Sequence, residues 1–595
     1  MKRIHYYIVC AICAICGLSS CSDFLEIEPQ NEIILEKFWN EKADVDAIIA
    51  GCYSGLQEEA VIKRMMVWGE FRSDNIGPGS NISSDGNLEK ILKENIEAKN
   101  NYTNWEGFYS VINRCNTVIK YAPGVSAIDP AYTESELQAN IAEMVGLRSL
   151  CYFYLIRAFR DVPFSREAFI DDDQKMDLPA TKFNDVLDSL IYDLENVKGY
   201  AVKRYPVTKE LYQTGRVTQD FIHALLCELY LWKKDYQNCV RYADLVIDSK
   251  KKIADENRKQ RNSSTMIQNN DIEEKFNGFP LVSNSTSSGY FGDAYEVLFG
   301  RDRGNEDEVN QEIIFQLVFN DNPGDNGMPA NGAVNSFYGN SNATIGLVAP
   351  SDYIYSQIEN SGQDRKVFAY RNKMLDSRIY TNCLYSGSSS NNAINKYTTS
   401  TITITATAGS NPSPDYGSKY PQNQNGSNWI IYRLTDIMLL KAEALTQMVG
   451  ENSDTETDES AKSILDRAFA LVNAVNKRAL CQNQLADTLR RSDYATKADM
   501  ETLVLQERQR ELMFEGKRWF DLVRLSQRTG NTEVLAAAAL QKATTGAGLI
   551  SNHLAKMDAI YWPYNLDEMK VNLNLVQNPA FGSGEDQSYE KTTKK

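Results

Sequence analysis

Apolar positions at steps of three and four residues dominate the chain from about residue 36 to about 250, which predicts helices packed through one face. In Glu134 to Phe159, the residues Leu147, Leu150, Cys151, Tyr154, Leu155 and Ala158 share such a face, and Asp161-Val162-Pro163 ends the run. Val217 to Trp232 predicts another helix through Phe221, Leu225, Leu229 and Trp232. A short Lys-Lys-Asp turn leads from it to a third, Cys239 to Ile247, and connections this short make the helices antiparallel neighbours. Gly215 to Ile247 and Trp429 to Arg478 read as divergent tetratricopeptide units, with Leu231-Trp232-Lys233-Lys234-Asp235-Tyr236 as a junction between helix pairs.

The pattern changes between about 255 and 428. Asn, Ser, Thr and Gly make up 26 of the 43 residues from Ser386 to Asn428. Long polar stretches in a compact protein are functional loops or disorder. Thr401 to Thr405 alternates with period two and predicts a strand, while Ile313 to Phe319 fits either a buried strand or a helical turn. Helix resumes at Trp429 and continues, with breaks, to about Arg528. Trp105, Trp232 and Trp519 sit at helical spacing among apolar residues and are expected in the core.

Charge and composition narrow the chemistry. The formal balance is −16, with no basic block, so a phosphate backbone is repelled and nucleic acid is excluded as a partner. Of the 3 histidines His5 lies in the leader, and His223 and His553 are too few for a multi-His zinc site or a His-centred nucleophile relay. Residues 1–20 combine Lys2 and Arg3 with an apolar run too short to span a membrane, which is the form of a secretory signal. Leu18-Ser19-Ser20-Cys21 resembles the bacterial lipoprotein signal, in which the cysteine becomes the first residue and carries acyl chains; cleavage there takes the balance to −18. Two or more chains suffice for stable anchoring. The remaining cysteines are scattered and lack CxxC spacing, so they are expected as small core residues.

The segment Gln506 to Arg524, QERQRELMFEGKRWFDLVR, places Glu507, Glu511 and Glu515 at successive i, i+4 steps on one helical face. Three carboxylates in line need cations. One reading is an acid/base pair or a metal site; the favoured one is a structural network with Arg508, Arg510, Arg518 and a helix partner such as Arg148 or Arg157. The favoured reading follows from the absence of a histidine beside the stretch and from the bidentate geometry of arginine. Gly516 lets a neighbouring backbone approach.

The run Glu507 to Leu522 resembles the C-terminal signature of the SusD/RagB family of Bacteroidetes outer-membrane lipoproteins. Cys21 to Leu25, Trp105 to Asn116, Arg148 to Pro163, Gly215 to Thr218, Tyr432 to Ala444 and Asn574 to Pro579 match in the same order. The resemblance implies a mainly α, SusD-like fold with four tetratricopeptide-type helix pairs and a loop-rich ligand-binding region carrying short strands. It divides the chain into a signal peptide (1–20), a lipidated tether (21–35), an N-terminal helical part (36–255), a variable ligand-binding part (256–428) and a C-terminal helical part (429–595). It also implies no catalysis, no cofactor, no metal, and a lipid-anchored place at the outer-membrane surface, to which Asp23 and Glu26 direct export. The implied partner is a SusC-like TonB-dependent transporter and the implied ligand an oligosaccharide. A peptide ligand of the RagB type is the alternative, and a protein-binding tetratricopeptide scaffold or a carboxylate glycosidase follows behind. No ligand residue transfers by position, so the candidates are aromatic residues stranded in polar loops, Tyr290, Phe291, Phe337, Tyr338 and Tyr385. Asp74, Asn75 and Asn81 add polar contacts from the loop after Arg72.

Overall fold

The computed structural model describes residues 38–582, apart from residue 172 and stretches within 263–310, 322–327, 340–345, 355–375, 385–423, 452–457, 481–488 and 543–545. Among the described residues, ten helices of 12 residues or more carry the fold. They are α1 (Lys42–Gln57), α2 (Glu106–Ile128), α3 (Glu134–Phe159), α4 (Phe183–Val197), α5 (Gln219–Trp232), α6 (Tyr236–Asn262), α7 (Leu434–Met448), α8 (Glu459–Ala479), α9 (Lys497–Leu512) and α10 (Arg518–Thr529).

Their starts are written in capping residues. Thr133 and Glu136 exchange backbone and side-chain hydrogen bonds at the head of α3, Thr496 and Asp499 do so at α9, and Thr218 caps α5. The helix α3 stops at Arg160, whose φ of 68° leaves the helical region before Pro163. Periodicity predicted one buried face for this helix, but every residue from Ala142 to Phe159 is buried. Its charges are accommodated by pairing, Arg148 with Asp193 and Arg157 with Glu228, both at 2.9 Å.

Each helix packs on the next from α1 to α8, with α9 seated on both α7 and α8. The neighbours α6 and α7 close this stack although the whole loop-rich segment separates them in sequence. Trp105, Trp232 and Trp519 are buried, as are the six described cysteines, all free. No described helix is long and apolar enough to cross a membrane.

The strands are short and form no closed sheet among the described residues. Ile313–Leu317 pairs antiparallel with Trp429–Arg433, and both are buried throughout. That pairing makes Ile313 to Leu317 a strand, and it corrects the expectation that helix resumes at Trp429. The Trp-Ile-Ile-Tyr run favours an extended backbone, and α7 begins only at Leu434. Ile402–Thr405 lies between Ser413–Tyr416 and Tyr290–Phe291 in a three-stranded sheet, and Ile76–Pro78 pairs with Val348–Pro350.

Candidate functional site

The signature segment is the end of α9, a tight turn and the start of α10. Phe514 and Gly516 take left-handed backbone conformations, with φ of 67° and 71°, which reverses the chain within a few residues. A π-helical turn, Val67–Phe71, is pressed against this reversal: a Cβ on Gly69 would stand 1.9 Å from the Gly516 carbonyl oxygen. The same turn delivers Glu70, whose carboxylate accepts the backbone N–H groups of Phe514 at 3.0 Å, Lys517 at 3.1 Å and Arg518 at 3.3 Å. These include donors that open α10, where a carboxylate also meets the positive end of the helix dipole. Glu70 further accepts from the Asn75 amide at 2.7 Å, and the Gln509 amide donates to the Asn75 side-chain oxygen at 2.8 Å.

Glu507, Glu511 and Glu515 are buried, and cations from separate segments converge on them. Glu511 accepts from Arg433 at 2.7 Å, from Arg378 at 3.1 Å, from Arg478, and from the Tyr295 hydroxyl at 3.0 Å. Glu507 is held by Arg378 and Arg510, each at 2.7 Å, and Glu515 by Arg433 at 2.7 Å and Lys396 at 2.6 Å. Glu312 joins Arg478 at 2.8 Å and Asp376 joins Arg378 at 2.8 Å. Five carboxylates thus face five cations in one dry lattice. Burial alone would raise all three glutamates, but their cations outweigh it and hold Glu507 and Glu515 below, and Glu511 well below, the usual carboxylate range.

Most of the expected cations are elsewhere. Arg508 spans Asp436 and Asp521, each at 2.9 Å, Arg518 binds Asp74 at 2.9 Å, and Arg148 and Arg157 serve α3; of the expected arginines Arg510 alone touches one of the three glutamates, Glu507. Helical phase turns Arg508 to the α7 side of α9, while Arg518 lies past the reversal at Gly516, on α10, and faces the Asp74 loop. The cations that do converge, Arg378, Lys396, Arg433 and Arg478, lie far from the signature in sequence. Arg433 stands in a quoted motif, whereas Arg378 and Lys396 sit in polar stretches without periodicity, where no sequence signal marks them.

The arrangement is structural chemistry. Carboxylates this buried and this fully paired cannot reach a glycosidic oxygen, so the glycosidase reading of Glu507, Glu511 and Glu515 is dropped. Beside Lys396, a cavity lined by Tyr295, Phe299, Asn382, Asn395 and Tyr397 encloses about 20 Å³, room for a water and not for a sugar ring.

Four of the ligand candidates are built into the interior. Asp74 is paired with Arg518 and Asn75 bridges Glu70 and Gln509. Phe337 packs edge-on against Phe71 at 4.9 Å, and the Tyr338 hydroxyl donates to the Phe514 carbonyl at 3.1 Å. All four are at most 4% exposed, so they are corrected from ligand contacts to supports. The misreading has a plain cause: a polar sequence around an aromatic looks like a surface loop, but here Asn331, Asn335 and Asn425 bond one another and the backbone in the interior. Asn81 is exposed, on a turn fixed by the Gly79 N–H to Leu347 carbonyl bond of 2.9 Å. Tyr290 and Phe291 form the edge strand opposite Thr405 and Ile404. Tyr385 and Cys21 lie outside the described residues.

Residues 296–581 match the family model described as the SusD family, and residues 23–231 match one described as "Starch-binding associating with outer membrane". SusD-like protein P38 of Formosa agariphila is 26% identical over 590 residues, covering 95% of this chain and 96% of that protein. A SusD superfamily protein of Bacteroides thetaiotaomicron superposes with a TM-score of 0.60 at 19% identity, over 91% of this chain and 99% of its own. Surface glycan-binding protein A of the same organism, solved in complex with laminarihexaose, superposes with a TM-score of 0.57 at 15% identity, over 91% of this chain and 100% of its own. With its helical stack, its short strands and both family models matched along one chain, the protein belongs to the SusD family.

Proposed function

We propose that this protein is a cell-surface lipoprotein that captures an oligosaccharide and delivers it to a TonB-dependent outer-membrane transporter, without transforming it. The observation that carries the reading is the pair of matched family models, one of them named for starch binding at the outer membrane. The laminarihexaose complex of a structural neighbour supports a glycan as the ligand class. The signature segment gives the reading a physical basis. Arg518 on Asp74 and the Gln509 amide on Asn75 hold the start of the Ile76–Pro78 and Val348–Pro350 strand pair, so the turn that bears Asn81 keeps a set place beside the loop-rich part. Preorganised polar and aromatic groups suit sugar capture because little ordering entropy is left to lose on binding.

Isothermal titration of the soluble form lacking residues 1–21 against neutral and acidic oligosaccharides, with peptides as the comparison arm, tests the proposal. Heat released with one glycan class and none with peptides is expected. Binding to peptides with silence across the glycans overturns it.

A further inference from the structure

Val571, Leu573 and Val576 are 82%, 79% and 82% exposed, among the highest values for large apolar side chains in the described residues. They are not loose. Between them, the Asn572 amide donates to the Leu178 carbonyl at 2.7 Å and the Asn574 amide to the Asp177 carbonyl at 2.6 Å, while Leu575 is buried. The two asparagines therefore clamp the segment with its apolar side chains turned outward, and they lay it against the 170–178 loop, where Met176 is 51% exposed. A fixed apolar surface of this kind marks an interaction site.

Two observations say what covers it. The first is charge: Asp171, Asp173, Asp177 and Asp567 are exposed in these two segments, against Lys175 and Lys570, and Lys570 is already paired with Asp567. An acidic rim favours a partner whose apolar groups are ringed by Lys and Arg, and it opposes an anionic lipid surface. The second is position. The helix α2 has 23 residues and so spans roughly 35 Å. Near its first turn Trp105 meets Tyr564 and Ala98 accepts the Leu566 N–H, just ahead of the clamped segment. Beyond its last turn Asp129 accepts the N–H of Lys42, where the described chain begins. The chain that leads into the apolar surface and the start of the described chain are thus at opposite ends of α2.

From this placement we infer that the surface formed by Met176, Val571, Leu573 and Val576 docks basic-rimmed apolar loops of the transporter. The inference rests on the transporter reading above. The test uses the full lipidated chain expressed with its transporter, and the triple variant Val571→Ser, Leu573→Ser, Val576→Ser, whose exposed positions leave the melting temperature unchanged. Detergent co-purification is expected to fall at least tenfold in the variant, while oligosaccharide affinity in titration is unchanged. Replacing Asp171, Asp173 and Asp177 by Lys is expected to weaken the complex more at low salt than at high salt. Equal co-purification of wild type and triple variant overturns the inference and leaves the transporter reading standing; failure of the wild type to co-purify overturns both. Patch-dependent flotation of the soluble form with phosphatidylethanolamine/phosphatidylglycerol vesicles, or patch-dependent dimerisation in sedimentation, also overturns it.

Discussion

Replacing Glu511 asks whether the buried lattice is held by charge or by shape. Its carboxylate is fully buried and takes hydrogen bonds from Arg378, Arg433, Arg478 and Tyr295. Removing it leaves five cations against four carboxylates, with one guanidinium charge uncompensated where water cannot reach it. Breaking a buried pair from one side costs about 3–5 kcal/mol. That is a large fraction of the roughly 5–15 kcal/mol that separates a folded domain from its unfolded chain. Glu511→Gln keeps the volume and deletes the charge, so it is expected to lose nearly as much as Glu511→Ala in urea melts at pH 7. The pH dependence adds a sign. Burial raises the Glu511 carboxyl, but Arg478, Arg433 and Arg378 outweigh burial and hold it well below its ordinary 4.5. A group depressed in the folded state contributes stability that is present above the unfolded pKa and lost as pH falls through the folded one. The gap between wild type and Glu511→Gln is therefore full at pH 7 and narrows below about pH 4.5. A Gln variant as stable as wild type, or a gap that persists unchanged into acid, refutes the charge argument.

Other substitutions read separate parts of the structure. Gly69→Ala drives a methyl against the Gly516 carbonyl, 1.9 Å from its ideal position, and is expected to cost at least the ~1–3 kcal/mol of ordinary overpacking in a thermal melt. Burial lowers the Lys419 amine to about 7 from 10.5. The folded chain then sheds a proton that the unfolded chain keeps, so wild-type stability rises between pH 7 and 10, and Lys419→Met flattens that rise. Cys21→Ser is expected to abolish metabolic labelling with palmitate and move the protein from the membrane to the soluble fraction.

What was legible in the sequence was whatever local physics decides. The span of α3 was visible because Leu147, Leu150, Cys151, Tyr154, Leu155 and Ala158 recur at helical steps and Asp161-Val162-Pro163 closes the run, and Gly516 announced a close backbone approach that Gly69 completes. Regions where partners come from afar were not legible. Glu511 is a helical residue whose cations arrive from residues 378, 433 and 478, and only the folded chain shows that these meet. Phe337 and Tyr338 failed for the converse reason: their polar neighbours are satisfied by one another in the interior, which a local reading of polarity scores as surface. Glu70 was hidden inside the apolar run Val67-Trp68-Gly69-Glu70-Phe71, and its role as a cap for α10 depends on a segment more than 400 residues away.

The balance of the lattice also bears on the ligand. Its five carboxylates and five cations cancel, and Arg508, Lys517 and Arg524 are matched by Asp436, Glu443 and Asp521 in the neighbouring group. These two groups therefore store none of the net charge of −16, and a polyanionic glycan would approach a chain with a large negative excess. Capture of a neutral sugar avoids that cost, because stacking and amide hydrogen bonds carry no net charge. Titrations at about 50 and 500 mM salt should then give nearly the same affinity for the preferred oligosaccharide, since screening has no ligand charge to act on. An affinity that changes tenfold or more across that range, or a preference for sulfated or uronic acid chains, would show a basic ligand site that overrides the surface charge and would refute the neutral-glycan argument.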